Sequence, residues 1–301
     1  MRILVFGGAG FIGRHLCGEL AERGHDVVAI SRSPPEDVLP TGVETAAADV
    51  TDYASLEPIC VNGDAIVNLV AKTPLYQPSG GESQHQAIHL QGTRNLVRAA
   101  GEAGIARFVQ MSGHGASPDA TTAYLQAKGR AEGVVQSSDL DWVIIRPTVV
   151  FGDESEFISF IGRLTTPYLT ALPGGGHTPF QLLWVGDLAP MLADAVEDDE
   201  HVHQRYDLAG PTVYTLAEAT RLYYEGKGQS VRILPIPMPL VRVGLTLASP
   251  IPFIPFGVHQ YRGLQLENVV ETNDVSAFGY DAAALMSLEA YLIGDNTKDV
   301  S

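Results

Sequence analysis

Lysine is scarce in this chain: Lys72, Lys128, Lys227 and Lys298 are the only four among 301 residues. In all, 19 basic residues face 35 acidic ones, a formal net charge of −16. That balance argues against nucleic acid as a partner, because phosphate binding draws on clustered Lys and Arg. An acidic, lysine-poor surface suits a salt-rich cytoplasm, where screening keeps self-repulsion small, and points to a halophilic source. Cysteine is nearly absent too. Cys17 and Cys60 form no metal or redox motif and read as buried small hydrophobes. No apolar run reaches the ~18 residues that a spanning helix needs, so no membrane span is expected. Arg2–Phe6 runs directly into glycines with no apolar leader, and the expected location is cytoplasmic. Repeats and low-complexity tracts are missing. His85 and His89 stand four apart without a third ligand, and His201 and His203 have no ligand spacing, so no metal is expected.

What is present is alternation. Apolar runs at Ile3–Phe6, Asp26–Ser31, Val43–Ala47, Ala65–Val70, Arg107–Met111 and Trp142–Arg146 read as strands. Helical patterns fall between them at Phe11–Arg23, Glu82–Ala103 and Thr121–Ser137, the first two closed by Gly24 and Gly104. Continuous apolar strands alternating with helices predict an α/β fold with a doubly wound parallel sheet covered on both faces. After Pro147 the pattern loosens. Phe157–Thr165 and Leu216–Glu225 read as helices, Tyr206–Leu208 and Val231–Leu234 as short strands, and Pro173–Gly176 as a loop. Gln181–Val185 reads as a strand passing into a helix at Gly186-Asp187, with Asp187 as its cap. The expected division is residues 1–150, with 181–208 returning to them, and a smaller C-terminal region over 151–301. Six prolines in Pro235–Pro255, with Arg242 as the one charge, predict broken helices over a substrate cleft or a partner-facing surface.

Gly7-Gly8-Ala9-Gly10-Phe11-Ile12-Gly13 joins the first strand to the first helix. Gly7 permits the tight turn, Gly10 lets backbone approach a pyrophosphate, and Gly13 lets helix and strand pack closely. The helix start at Phe11, Ile12 and Gly13 then offers free N–H groups and a partial positive charge. This is a dinucleotide cradle of the Rossmann type. At the end of strand two, where an NAD site places a carboxylate for the ribose 2′-hydroxyl, the chain has Ser31-Arg32-Ser33. Nothing there repels a 2′-phosphate and Arg32 can pair with it, which favours NADP and leaves NAD open. Asp49-Val50 after the third strand and Asn68-Leu69-Val70-Ala71 at the end of the fourth fit the adenine and its ribose. Asp49 fits equally as the cap of a helix beginning near Tyr53.

Tyr124 and Lys128 lie at i and i+4, on one helix face. A nearby ammonium stabilises the phenolate and brings the tyrosine pKa from near 10 toward the working range. Tyr124 can then exchange a proton with a substrate oxygen while hydride moves to or from a nicotinamide, and Lys128 can also bond its ribose.

The glycine fingerprint, Asp49-Val50, His89–Thr93, Tyr124–Lys128 and Arg146-Pro147-Thr148 together resemble the extended and atypical short-chain dehydrogenase/reductases. Ser112–Pro118, Tyr124–Glu132 and Arg146–Gly152 are most similar to an atypical subgroup related to the nucleotide-binding accessory subunit of respiratory complex I. The resemblance covers residues 1–190 and continues weakly to 292. It implies bound NADP(H) or NAD(H), Pro147 on the cofactor-side loop, and a substrate region drawn from the second half. Two departures stand out. The family's catalytic serine position falls on Gly113, with Ser112 one residue early as a substitute oxygen-orienting donor, and His89 stands where asparagine is common. The expected function is therefore an oxidoreductase on a carbonyl or alcohol of a small, apolar metabolite. Two alternatives stand beside it: a non-catalytic accessory or assembly protein associated with a membrane respiratory complex, and a nucleotide-sugar epimerase or dehydratase. A homodimer through the two long helices is the family's usual assembly.

Overall fold

A computed structural model describes residues 1–33, 39–72, 83–237, 239–240 and 268–294. The prolines at 34 and 35, the predicted helix start at Glu82, most of Pro235–Pro255 and the tail from Asp295 lie outside the described residues.

The chain divides into two compact units. The first comprises 1–72, 78–147 and 185–207; the second comprises 73–77, 148–184 and 208–301. In chain order the first unit begins with β1 (Arg2–Phe6), α1 (Phe11–Glu22), β2 (Asp26–Ser31), β3 (Glu44–Ala47), α2 (Tyr53–Cys60) and β4 (Ala65–Asn68). A short helix α3 (Ser83–His85) passes through a π-helical turn, Gln86–Gln91, into α4 (Gly92–Ala103). Then follow β5 (Arg107–Met111), α5 (Ala123–Gln136) and β6 (Asp141–Pro147). Within the second unit lie β7 (Val150–Phe151), α6 (Glu156–Leu164), β8 (Tyr168–Pro173), β9 (Pro179–Gln181) and β10 (Leu183–Trp184). Helix α7 (Val185–Glu197) and strand β11 (Gln204–Leu208) follow, and the second unit closes with β12 (Val213–Thr215), α8 (Leu216–Glu225), β13 (Val231–Ile236) and α9 (Leu288–Ile293).

Seven strands form one parallel sheet in the order β11-β6-β5-β4-β1-β2-β3. The order reverses between β1 and β4, which is where open α/β sheets bind ligands, beyond the carboxyl ends of the strands. Ile3, Leu4, Val5 and Phe6 are all buried because both faces are covered. Helices α1 and α7 pack together, while α2, α4 and α5 lie side by side. Leu4, Phe6, Ile30, Leu56, Leu96 and Phe108 form one continuous core beneath the latter group. The doubly wound sheet is as the sequence predicts, with one local addition. The long helix after β4 carries the π turn, and Thr93 at its end returns its hydroxyl to the His89 carbonyl at 2.7 Å. Arg23 at the end of α1 donates to Asp194 and Glu197 of α7, tying those helices by charge as well as by packing.

The second unit is less regular. Among the described residues it contains three two-stranded sheets, β10-β7, β12-β9 and β13-β8. Phe151, Phe160, Leu172, Phe180, Tyr214 and Leu288 fill its core. Here several boundaries differ from the sequence reading. The Pro173–Gly176 loop is the end of strand β8 followed by a 3₁₀ turn. The single strand expected at Gln181–Val185 is two, because Leu182 passes between different partners: β9 pairs β12 and β10 pairs β7. Asp187 sits in the first turn of α7, inside the helix rather than before it.

Candidate functional site

The glycine loop has the geometry of an anion cradle. Gly7 has a φ of 86°, a conformation that only glycine adopts freely, and it turns the chain out of β1. A Cβ on Gly7 would lie 3.1 Å from the Leu69 carbonyl carbon, so the loop runs against the end of β4 and its Leu69-Val70 backbone. A Cβ on Gly13 would lie 2.2 Å from the Gly7 carbonyl oxygen, which fixes α1 tight against the turn. Gly10 is exposed, and a side chain there would crowd only that same oxygen, at 3.1 Å. Helix α1 starts with Gly10 as its N-cap, with no side-chain cap and no acidic residue in its first turn. Its first amides, at Phe11, Ile12 and Gly13, therefore remain for an outside acceptor, and its dipole is uncompensated.

At the end of β2, Ser31 Oγ is buried and has no hydrogen-bond partner among the described residues. Arg32 is exposed beside it, and its charge reaches Asp49. Burial pushes the Asp49 carboxyl up, but the Thr51 hydroxyl and amide and the Arg32 charge outweigh it and hold the group below its ordinary value. Asp49 is not the cap of α2; Asp52 is, accepting from the Ala54 N–H. Val50 turns its side chain into the core, and its carbonyl accepts from Asn95 at 2.8 Å. Asn68 is a buried brace, donating to Gln110 and Thr93 and accepting from the Val70 N–H. Val70 is half-buried and Ala71 exposed at the same strand end. Pro147 is buried, with its carbonyl accepting from the His114 N–H at 3.0 Å. An uncapped helix start, a loop that a side chain would fill and an orphaned hydroxyl at the strand end all fit a dinucleotide.

The predicted chemical pair lies on α5, whose N-cap Thr122 accepts from the Leu125 N–H. Lys128 is 2% exposed, and its Nζ donates to the Met111 carbonyl at 2.9 Å. Burial pushes the ammonium down to about 8, with the Glu132 charge opposing. Lys128 Nζ lies 5.6 Å from the centre of the Tyr124 ring. The π turn brings two imidazoles to the same ring: His85 and His89 stack on each other and both meet Tyr124 edge-on, at 5.6 and 5.2 Å. Burial, then the charge of Lys128 and the proximity of His85, holds the His89 imidazole well below its ordinary value, so it is neutral at pH 7.

Ser112 is placed elsewhere. Its hydroxyl donates to Glu132, which is 3% exposed and is also held by Arg146 Nε at 2.8 Å. The position facing Tyr124 is Gly113, where an added Cβ would meet only the Tyr124 hydroxyl, at 3.8 Å. Glu132 was legible in principle, since Tyr124, Lys128 and Glu132 recur at i, i+4 and i+8.

The NAD(P)H-binding family model matches residues 7–163, covering the glycine cradle, the Tyr124/Lys128 helix and β6. This chain belongs to the NAD(P)H-binding family. Among curated members, it is 27% identical over 287 residues to the mitochondrial NADH dehydrogenase (ubiquinone) 1 alpha subcomplex subunit 9 of Arabidopsis thaliana, covering 89% of this chain and 71% of that one. It is 26% identical over 224 residues to the 40 kDa subunit of NADH-ubiquinone oxidoreductase of Neurospora crassa, covering 72% of this chain but only 58% of that subunit. The photosystem II assembly factor Ycf39 of Synechocystis is 26% identical over 247 residues, covering 80% of this chain and 72% of that factor. In structure, this NAD(P)H-binding chain superposes on a Thermus thermophilus UDP-glucose 4-epimerase in complex with NAD, with a TM-score of 0.76, 20% identity and full coverage of both chains. That likeness is one of fold.

Proposed function

We propose that this protein is an NADP(H)-dependent oxidoreductase of the short-chain dehydrogenase/reductase kind, acting on a carbonyl or alcohol of a small, apolar metabolite. The observation that carries the reading is the Tyr124/Lys128 pair: a phenol beside an ammonium that is buried and already weakened to about 8. The Gly7–Gly13 loop with the α1 amides would hold the pyrophosphate, Ser31 and Arg32 the adenine ribose and its 2′-phosphate, and Lys128 the nicotinamide ribose. Asp49, Val70, Ala71 and Pro147 would border the same cofactor, which when bound supplies or accepts hydride. Tyr124 gives its hydroxyl proton to the substrate oxygen in reduction and takes it back in oxidation. Lys128 stabilises the resulting phenolate, and the water-excluded surroundings strengthen that interaction. Ser112 has no part in this scheme, because its hydroxyl is committed to Glu132.

A second reading, a nucleotide-binding accessory or assembly protein of a membrane complex, is favoured by the names of the relatives, a complex subunit and an assembly factor, and by the missing hydroxyl at Gly113. Fluorescence titration with NADPH and NADH separates the readings in two steps. NADPH should bind about 10- to 100-fold more tightly than NADH, as one charge-assisted pair implies, and Arg32→Ala should erase the difference. NADPH oxidation across a panel of aliphatic and quinone carbonyls should then occur and be lost in Tyr124→Phe. Tight NADPH binding without turnover, together with co-purification with subunits of a membrane complex, would establish the second reading instead.

A further inference from the structure

Three neighbouring strand ends carry the adenine side of the cradle. The Gly7 N–H donates to the Ile30 carbonyl at 2.8 Å, which ties the glycine turn after β1 to the end of β2. One strand further, Ser31 pairs with Ala47, and the Ala48 N–H extends that ladder by donating to the Ser31 carbonyl at 3.1 Å. Arg32 and Asp49 are therefore the next residues on two adjacent parallel strands, whose axes lie about 4.8 Å apart. Asp49 is fixed there. Its N–H donates to the Ser55 hydroxyl at 3.1 Å. Its carboxylate oxygen Oδ1 accepts from the Thr51 N–H at 2.9 Å and from the Thr51 hydroxyl at 2.7 Å. Arg32 is not fixed in this way: it is exposed and makes no hydrogen bond or contact ion pair among the described residues. An anchored anion thus stands one strand away from an unanchored cation. Their attraction contributes, after the Thr51 hydrogen bonds, to holding the Asp49 carboxyl below its ordinary value.

We infer that Asp49 is a cofactor-specificity residue: its carboxylate draws the Arg32 guanidinium toward β3 and away from a 2′-phosphate, which keeps NADH an acceptable ligand beside NADPH. This inference rests on the proposed role of Arg32 as the partner of that phosphate. With NADH bound no phosphate competes, and Arg32 keeps its attraction to Asp49. With NADPH bound the guanidinium turns to the phosphate, and the gain is reduced by the attraction it gives up. The opposition is electrostatic and solvent-exposed, so dissolved salt screens it.

The test compares NADPH with NADH in fluorescence titrations of the full chain. Asp49→Asn keeps an oxygen for the Thr51 donors and removes the charge. The ratio of NADPH affinity to NADH affinity should rise about two- to fivefold at low salt, the range of an exposed ion pair. That gain should fade in about 1 M salt, where the Debye length is about 3 Å. A lost adenine contact would weaken both nucleotides and cancel in the ratio. Should the Asn variant fail to fold, Asp49→Ser is equally neutral and its hydroxyl still offers Thr51 an acceptor. In an Arg32→Ala background the same substitution should no longer change the ratio. An unchanged ratio in Asp49→Asn, or an equal rise with and without Arg32, overturns the inference. If Arg32→Ala alone removes the NADPH preference while Asp49→Asn changes nothing, the proposed 2′-phosphate site survives that failure. If Arg32→Ala itself leaves the ratio unchanged, it is the NADP(H) assignment of the proposed function that fails.

Discussion

Two glycines of the nucleotide-binding unit, Gly13 and Gly113, lack side chains for opposite reasons. A methyl at Gly13 would overlap the backbone of its own turn, 2.2 Å from the Gly7 oxygen and 2.6 Å from the Gly8 Cα. A methyl at Gly113 would meet nothing closer than the Tyr124 hydroxyl, at 3.8 Å. The first glycine is required by packing. The second is not required by it. The same contrast holds for what secures each loop. Around Gly13 close backbone packing does so, whereas around Gly113 it is the chain of polar contacts from Ser112 through Glu132, Arg146 and Asp207 to His114.

The largest effect should come from breaking that chain. Glu132→Gln leaves the half-buried Arg146 guanidinium without its carboxylate, and loss of one partner of a buried pair costs about 3 kcal/mol or more. Urea unfolding should register this as a lower midpoint with an unchanged slope. A loss below ~1 kcal/mol, the range of an exposed pair, would mean that packing, not charge, holds the Gly113 loop.

Gly13→Ala comes next. The contact is with backbone and cannot be relieved by a rotamer, so α1 must shift away from β1, at a cost of about 1–3 kcal/mol. Nucleotide affinity should fall with it, because the α1 amides move. Normal stability and normal NADPH titration in this variant would remove the distinction drawn between the two glycines.

These contrasts also show what the sequence reveals. The cradle was legible because steric need leaves a fixed spacing, Gly7, Gly10 and Gly13, next to an apolar strand that can only be buried. The sheet was legible for the same reason: Ile3–Phe6, Ala65–Asn68 and Arg107–Met111 bury every residue, and continuous burial is a parallel-sheet signature. The partner of Ser112 was not legible, because its hydroxyl meets Glu132, twenty residues away, and a hydroxyl does not announce which carboxylate it will meet. The π turn at Gln86–Gln91 leaves no mark either, since its residues are ordinary helix formers and only the packing of His85 and His89 against Tyr124 makes it visible. In the second unit the two- to six-residue strands are too short for a period to emerge, so β7, β8 and β12 went unread.

The buried cation offers a pH test of the same loop. Lys128 is held at about 8 in the folded chain against 10.5 for a free lysine. Between those values the unfolded chain keeps a proton that the folded chain has released, so stability should rise with pH across that window. The burden of the buried charge is complete below about pH 8 and relieved toward pH 10.5. Lys128→Met should abolish this rise, and the stability difference between variant and wild type should shrink or reverse by about 1–3 kcal/mol from pH 7.5 to 10. Parallel pH profiles for the two proteins would show that Lys128 reaches solvent.

The smallest effect is the most discriminating. Gly113→Ala should leave stability within about 0.5 kcal/mol of wild type, or raise it by up to about 1 kcal/mol through a less flexible unfolded chain. The added methyl has room, and the residue's φ lies outside the left-handed region. Thermal melts that place Gly113→Ala alongside Gly13→Ala would instead mark Gly113 as a packing glycine, and the open space beside Tyr124 would then be a consequence of the fold. Melts that match wild type show that packing does not require a bare position beside Tyr124.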